Sequence, residues 1–241
     1  MSQALDAFVS AYDQSFAYAY DNEIMLNWYP KRIIERVPAQ GRLLELGIGH
    51  GFTTARFAQH FSHTMVVDGS AAVVARFRAE FPDCSAEVVE GYFEQFDTDE
   101  QFDVIVMGFV LEHVEDPDLV LRHFARFLAP GGRCFVAVPN GESMHRRLGH
   151  LAGLLDDVMS LGHGDVALGH LRQYSKDTLV AQLEAAGYAV RGVEGIFLKP
   201  FTTQQLQSLA LPESITQALC ELGISYPELS CALLAEAVIA P

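Results

Sequence analysis

The sequence predicts an α/β fold in which helices cover both faces of a mainly parallel sheet. Short apolar runs that end in Gly, Asp or Pro alternate with segments of helical periodicity over the first 140 residues. Strands that are hydrophobic along their whole length are typical of parallel sheets, because both of their faces are buried. The helix boundaries agree with this pattern, since Asp116-Pro117 pairs an N-cap residue with a proline at the first helical position.

The order of elements predicts five strands separated by helices, followed by two more strands. The first five strands are expected at residues 42–46, 64–67, 86–89, 102–107 and 133–138. Helical periodicity covers residues 53–61, 71–81 and 119–128. Later in the chain we expect a helix at 177–186, a strand at 188–198, further helix, and a last strand at 230–239. The pattern therefore indicates a seven-stranded sheet.

Two segments lie outside this alternation and are candidates for a lid over a site. Residues 1–37 are expected to form a helical cap, and they carry seven aromatic residues before position 30. Residues 141–173 are expected to form a helical lid insertion, because they contain an amphipathic run together with four histidines. We interpret residues 1–241 as one domain, in which a core at 38–140 is completed by the C-terminal part of the sheet at 174–241.

The charge and the cysteines restrict the partners and the compartment. Sixteen basic against 31 acidic residues give a net charge of −15, which would repel a nucleic-acid backbone. The strongest apolar run, residues 104–111, is too short to span a bilayer, and no basic segment of the secretory type opens the chain. The four cysteines lack zinc-type spacing. We expect a cytoplasmic protein that binds neither nucleic acid nor membrane.

A glycine-rich turn follows the first predicted strand. Gly47, Gly49 and Gly51 come just after Glu45, at the sheet edge where open α/β folds bind ligands. Dinucleotide turns have the spacing G-x-G-x-x-G, whereas here position 52 is a phenylalanine and the third glycine stands one place earlier. The Glu45 carboxylate suits a cationic cofactor and would repel a pyrophosphate. The spacing therefore favours S-adenosylmethionine (SAM) over NAD.

The glycine turn is one of several motifs that occur in order over about residues 40–140. Asp68 lies 21 residues after Gly47, where a carboxylate can accept both hydroxyls of a ribose, although this feature alone does not separate SAM from NAD. The segments are Leu43-Leu-Glu-Leu-Gly-Ile-Gly-His-Gly51, Val66-Val-Asp-Gly-Ser70, Phe102-Asp-Val-Ile-Val-Met-Gly-Phe-Val-Leu-Glu-His-Val-Glu-Asp-Pro117 and Leu128-Ala-Pro-Gly-Gly-Arg-Cys-Phe-Val136. Together they resemble the successive motifs of class I SAM-dependent methyltransferases. The resemblance is to the small-molecule branch that includes quinol O-methyltransferases and sugar-tailoring enzymes.

This resemblance implies a Rossmann-like sheet whose last strand is inserted antiparallel, and it implies SAM as the cofactor. The segment Glu90-Gly-Tyr-Phe93 departs from the commoner Gly-Asp form, so we expect Tyr92 or Phe93 to stack or pack near the adenine. A tyrosine-bearing N-terminal helix is expected to close over the site, with Tyr20 at the cofactor and Tyr12 at the substrate. The remaining cofactor contacts that the resemblance implies are Glu45, Gly47, Gly49 and Gly51 at the amino-acid end, Asp68 at the ribose, Gly69 and Ser70 at the adenine, and Gly108.

Histidines supply the candidates for a general base. An alcohol or phenol acceptor usually needs a base near its proton, whereas an amine can do without one. His113 follows the fourth strand, where it could act as a base, contact substrate or simply order the loop. His170 is the favoured base, because it alternates with Arg172 and Tyr174 along a segment that could present all three on one side. A salt bridge is an equal alternative for Arg172, and His145 is a further candidate for substrate contact.

No metal site is expected. The HExxH motif is absent, and Met107-Gly108 stands where a catechol-type magnesium site would place an acid. We therefore expect an enzyme that transfers a methyl group from SAM to an O or N atom of a small molecule such as a sugar, a quinol or a natural-product intermediate. The alternatives are a protein that binds SAM without turnover and an NAD-dependent oxidoreductase. A homodimer is compatible with the sequence.

Overall fold

The computed structural model describes residues 19–240, and their strands form one seven-stranded sheet in the order β3-β2-β1-β4-β5-β7-β6. The strands β1 to β5 pair in parallel, whereas β7 lies between β5 and β6 and is antiparallel to both. This arrangement confirms the predicted fold class. The strands are β1 Arg42–Leu46, β2 His63–Asp68, β3 Glu87–Glu90, β4 Phe102–Gly108, β5 Leu128–Pro139, β6 Tyr188–Ile196 and β7 Ala232–Ile239.

Helices pack on both faces of the sheet. Neighbouring residues of β4 point to opposite sides, so that Ile105 lies in one hydrophobic cluster with Phe124 and Leu179, and Val106 lies in another with Tyr29 and Phe57. The helices in the described part are α1 Ala19–Ile34, α2 Phe52–His60, α3 Ala71–Glu80, α4 Pro117–Ala125, α5 Met144–Leu151, α6 His163–Leu168, α7 Lys176–Ala185, α8 Thr203–Ser208 and α9 Glu213–Gly223. None of the described helices is long and apolar enough to cross a membrane.

Most helix and strand boundaries lie close to those predicted, and two elements end two or more residues earlier than predicted. The side chain of Asp116 caps α4 by accepting from the amide of Leu119 at 2.9 Å, as Asp116-Pro117 predicts. The helix predicted to reach residue 128 ends at Ala125 instead, because Leu128 already pairs with Phe102 as the first residue of β5. The strand predicted to end at residue 198 ends two residues earlier, before the left-handed residue at 197.

Ion pairs hold α1 and the turn that follows it against the C-terminal part of the sheet. Arg32 and Arg36 both bind Glu194 of β6, the first with Nε 2.9 Å from the carboxylate. At the other end of the helix, the Lys199 ammonium bonds to Asp21, and both side chains are only 3% exposed. These contacts place the middle of α1, with Tyr29, beside the carboxyl end of β4.

The insertion between β5 and α7 contains α5 and α6, neither of which has a buried residue. Arg146 organises it by donating from Nε to the carbonyl of Val158 at 2.8 Å and from Nη2 to that of Ser160. Leu151 and Leu154 are more than four-fifths exposed. The insertion therefore depends on polar contacts rather than on a core of its own.

Candidate active site

The glycine turn lies at the carboxyl end of β1, in the centre of the sheet. Gly47, Gly49 and Gly51 have φ of 79°, 54° and 85°, a region of backbone conformation that other residues rarely adopt. The amide of Gly47 donates to the carbonyl of Val67 at 2.8 Å, which fixes the turn against β2. A Cβ on Gly51 would lie 2.7 Å from the ring of Phe77, so the turn also needs glycine for space.

Glu45 places a carboxyl group under this turn. Its side chain is buried, Oε1 accepts from the hydroxyl of Thr53 at 3.0 Å, and Oε2 has no hydrogen-bond partner within residues 19–240. Burial raises the pKa of Glu45 to about 8, and the neighbouring threonine hydroxyls offset only part of this rise. A buried, half-satisfied carboxyl group fits an ammonium ligand, because ionisation would then be matched by a positive charge.

Asp68 ends β2 beside the same turn. Its Oδ2 accepts from the amide of Ile48 and its Oδ1 from the amide of Ser70, both at 2.8 Å. Each carboxylate oxygen can accept a second hydrogen bond, so this orientation is compatible with ribose hydroxyls. Gly69 lies between Asp68 and Ser70, and the Ser70 hydroxyl caps α3 by accepting from the amide of Val73 at 3.2 Å.

The other predicted cofactor residues lie around this edge of the sheet with different exposures. The Tyr92 hydroxyl is buried, and no other described residue forms a hydrogen bond with it, whereas Phe93 packs its ring against Phe124 at 6.2 Å between centroids. Tyr20 on α1 is half-buried, with its hydroxyl 3.5 Å from Thr216 Oγ1. A Cβ on Gly108 would collide with the hydroxyl of Tyr29, so glycine at the end of β4 allows α1 to approach the sheet. Tyr12 lies outside the described residues.

Glu112, His113 and His170 form a polar cluster after β4. The two imidazole rings pack edge to face with centroids 4.8 Å apart. Glu112 is fully buried, and neither of its carboxylate oxygens has a hydrogen-bond partner among the described residues. Burial raises the pKa of Glu112 to about 7, although the neighbouring His170 ring and the Arg172 guanidinium act in the opposite direction. The cluster thus combines a carboxyl group that holds its proton near neutrality with two imidazoles.

The two histidines differ in exposure. His170 is only 8% exposed, whereas His113 reaches the surface. Desolvation of its ring nitrogens and the neighbouring His170 together lower the pKa of His113 to about 4. One donor atom from each of Glu112, His113 and His170 lies within 4.8 Å of the others, so the cluster could also hold a metal ion. That the protein works without a metal stays a prediction.

Arg172 binds backbone carbonyls, and Tyr174 lies in the hydrophobic core. The Arg172 guanidinium donates to the carbonyls of Leu111 at 2.6 Å and Glu115 at 3.1 Å, and it also bonds to that of Val114. Tyr174 is 3% exposed, and its hydroxyl donates to Gln182 at 2.7 Å. His170, Arg172 and Tyr174 were predicted to share one side of an extended segment. They do not form one common surface, because Arg172 binds backbone carbonyls and Tyr174 lies in the core.

His145 lies on α5, within the insertion. It is half-buried, and its Nδ1 is 3.2 Å from the hydroxyl of Ser143. Desolvation, helped by the charges of Lys199 and Arg146, lowers the pKa of His145 to about 3. A neutral imidazole at neutral pH can contact a neutral substrate, so the geometry keeps His145 available for the predicted role.

Comparison with known proteins decides the family. The family model described as a methyltransferase domain matches residues 20–193. A ubiquinone biosynthesis O-methyltransferase of Aeromonas salmonicida (strain A449) is 30% identical over 68% of this chain and 69% of its own length. The chain belongs to the class I SAM-dependent methyltransferases. Several other ubiquinone biosynthesis O-methyltransferases match over only about half of their own length.

Solved structures agree on the fold of this methyltransferase. An S-adenosylmethionine dependent methyltransferase from Mesorhizobium loti superposes with a TM-score of 0.60 at 20% identity, covering 88% of this chain and 97% of that one. The N-methyltransferase NodS from Bradyrhizobium japonicum WM9, solved in complex with S-adenosylhomocysteine, gives 0.53 at 17% identity over 87% and 85%. The family match leaves no support for the NAD-dependent alternative.

Three residues beside the candidate site were missed by sequence reasoning. Glu112 carried a signal, because it directly precedes His113 after a buried strand. Tyr29 was one of many N-terminal aromatics, and only its contact with the end of β4 distinguishes it. Asp165 carried none, because its nearness to His170 depends on how a short helix ends.

Proposed function

We propose that this methyltransferase methylates a hydroxyl oxygen of a small aromatic alcohol, with His170 as the general base. The observation that carries the proposal is the contact of His170 with His113 beside the buried Glu112, at the carboxyl end of β4. An amine acceptor would have little need for a buried base, whereas a phenol loses its proton during the transfer. The related ubiquinone biosynthesis O-methyltransferases support the same class of acceptor.

The cofactor supplies an electrophilic methyl group, and the chain supplies binding, alignment and proton removal. Glu45 provides the countercharge for the cofactor ammonium, and Asp68 accepts hydrogen bonds from the ribose. His170 accepts the hydroxyl proton, and the ionised form of Glu112 stabilises the resulting imidazolium by its charge. We propose further cofactor contacts at Gly47, Gly49, Gly51, Gly69, Ser70, Tyr92, Phe93, Gly108 and Tyr20.

The acceptor would lie between the cluster at the end of β4 and the insertion. His145 is the substrate contact that we propose there, together with Tyr12 from the N-terminal segment. Arg172 does not contact the acceptor in this proposal. It positions the loop that carries Glu112 and His113 by binding the carbonyls of that loop. We propose a cytoplasmic enzyme, since the four cysteines are unpaired, as in proteins of a reducing compartment.

A transfer assay with SAM carrying a labelled methyl group tests this proposal. The acceptor panel would contain catechols and hydroquinones on one side and primary aromatic amines of matched size on the other. We expect label in the hydroxyl compounds, and we expect His170→Gln to lower kcat by about 10²–10⁴-fold. His123→Gln is the matched control, because His123 lies on α4 and bonds to the carbonyl of Phe96.

Two results would contradict the proposal. Transfer to amines alone, unaffected by His170→Gln, would show that the acceptor atom is nitrogen and that His170 is not a base. Calorimetric binding of SAM without transfer to either class would favour the alternative in which the protein binds cofactor without turnover.

A further inference from the structure

The short helix α6 is built around one residue, Asp165. The Oδ2 of Asp165 accepts from the amide of Gly162 at 2.7 Å, which closes the N-terminal end of the helix. The Nη1 of Arg146 lies 3.8 Å from the same oxygen. Oδ2 therefore stabilises the structure of the insertion, and Oδ1 can contact a different side chain.

The C-terminal end of α6 directs the chain back over Asp165. Gly169 adopts φ of 80°, its amide donates to the carbonyl of Val166 at 3.0 Å, and the amide of His170 donates to the carbonyl of Asp165 at 2.9 Å. This pair of bonds is the Schellman arrangement, which ends a helix through a left-handed glycine. It fixes His170 directly against the residue that closes the start of the helix.

The side chains meet as a consequence. Nδ1 of His170 lies 3.3 Å from Oδ1 of Asp165 without the alignment of a hydrogen bond, and it has no hydrogen-bond partner within the described part of the chain. The contact is longer than an ideal hydrogen bond, as is common for catalytic pairs before ligands bind. Both side chains are nearly buried, at 6% and 13% exposure, so water competes little for either atom.

We propose that Asp165 is a positioning residue that holds the His170 imidazole in the tautomer protonated on Nδ1. The carboxylate accepts the Nδ1 proton, and Nε2 is then the ring nitrogen with a lone pair. The inference rests on the proposed role of His170. In the reaction, the acceptor O–H bond breaks, its proton moves to Nε2, the oxygen bonds to the methyl carbon, and the carbon–sulfur bond breaks with its electrons left on sulfur. The imidazolium that results is paired with Asp165.

The Asp165→Asn substitution tests the tautomer directly, because the neighbours determine which way the amide lies. The Gly162 amide can only donate, so it selects the Asn oxygen. The Asn NH₂ then faces Nδ1 of His170 and donates to it, which transfers the ring proton to Nε2. Nitrogen-15 NMR of histidine-labelled protein distinguishes the two tautomers, and the His170 signals are assigned from their loss in His170→Gln.

We expect the Nδ1–H tautomer in the unmodified protein and in Asp165→Glu, which retains the carboxylate, and the Nε2–H tautomer in Asp165→Asn. We also expect Asp165→Asn to lower kcat by about 10²-fold with the KM for SAM unchanged, since a misplaced proton disables the base alone. Asp156→Asn, an exposed acid of the same insertion, is the matched control and should leave both measurements unchanged.

An Nε2–H tautomer in the unmodified protein would overturn the inference, whether or not the Asp165 variants fold. An unchanged tautomer in folded Asp165→Asn would overturn it as well, and so would an equal loss of kcat in Asp156→Asn. If the unmodified protein methylates no hydroxyl compound, the proposed function fails, whereas the NMR measurement still shows whether Asp165 sets the His170 tautomer.

Discussion

Replacing Glu45 by Gln removes a buried carboxyl group whose proton is held unusually tightly. The folded protein raises the pKa of this group from 4.5 to about 8, chiefly because burial penalises the charge. Between these two values the folded state binds more protons than the unfolded state, so the free energy of unfolding falls as the pH rises. At 1.36 kcal/mol per pH unit, the full window corresponds to about 5 kcal/mol.

Urea unfolding at pH 5 and pH 8.5 measures this contribution. We expect the unmodified protein to lose stability over that range, and we expect Glu45→Gln to lose about 4 kcal/mol less, because about three pH units of the window lie above pH 5. The bond from Thr53 survives in the variant, because the Gln oxygen can accept it. Glu94→Gln, at an exposed acid outside the site, is the control and should retain the full pH dependence.

The same group links cofactor binding to proton release. Below pH 8 the cofactor ammonium must displace the Glu45 proton, so calorimetry in two buffers of different ionisation enthalpy should show about one proton released per SAM bound at pH 6.5. In Glu45→Gln the release should vanish, and the affinity should fall by about 1.5–3 kcal/mol. The same pH dependence in Glu45→Gln and in the unmodified protein, or the same proton release, would refute the electrostatic reasoning for this site.

Three further substitutions test the surrounding structure. Asp68→Ala should weaken SAM binding by about 1.5–3 kcal/mol in calorimetry, and an unchanged affinity would place the ribose elsewhere. Gly51→Ala should lower the free energy of unfolding by about 1–3 kcal/mol, because the new Cβ meets Phe77 in a left-handed backbone conformation; an unaltered urea midpoint would contradict this packing. Lys199→Met should cost about 3–5 kcal/mol by leaving the Asp21 carboxylate buried without its ion pair, and a loss below 1 kcal/mol in the same assay would show that the pair does not hold α1.

Local sequence patterns predicted the elements of the fold because they report short-range physics. The continuous apolar runs indicated strands buried on both faces, and the structure places β1, β2 and β4 inside the sheet. The Asp116-Pro117 signal marked the start of α4 correctly. Its end was missed, because the pairing of Leu128 with Phe102 depends on a neighbouring strand rather than on the helix itself.

The backbone geometry of the proposed cofactor side was also accessible from the sequence. Gly47, Gly49 and Gly51 adopt the left-handed conformations that make glycine necessary, and such a requirement is written into consecutive residues. Glu45 and Asp68 follow from strand ends, which parallel topology brings to one edge. Motif order then identified the family that the comparisons show.

Tertiary structure alone decided which residues of the proposed acceptor side lie together. His170 lies far along the chain from Glu112 and His113, and the folding of an insertion with no core of its own brings them together. Arg172 and Tyr174 looked equivalent to His170 in an alternating pattern, yet one binds backbone carbonyls and the other lies in the core. Alternation along an extended segment predicts which side chains point the same way, but it does not predict what those side chains contact.

The sequence by itself determined the sheet, the glycine turn and the cofactor, because each depends on residues that are adjacent or on strand ends that the topology aligns. Tertiary structure decided which polar groups are desolvated and which polar groups contact one another. The raised pKa values of Glu45 and Glu112 arise from burial by distant elements, and the contact of Asp165 with His170 arises from the way one short helix ends. Desolvation and long-range contact are properties of the folded chain, and no local pattern encodes them.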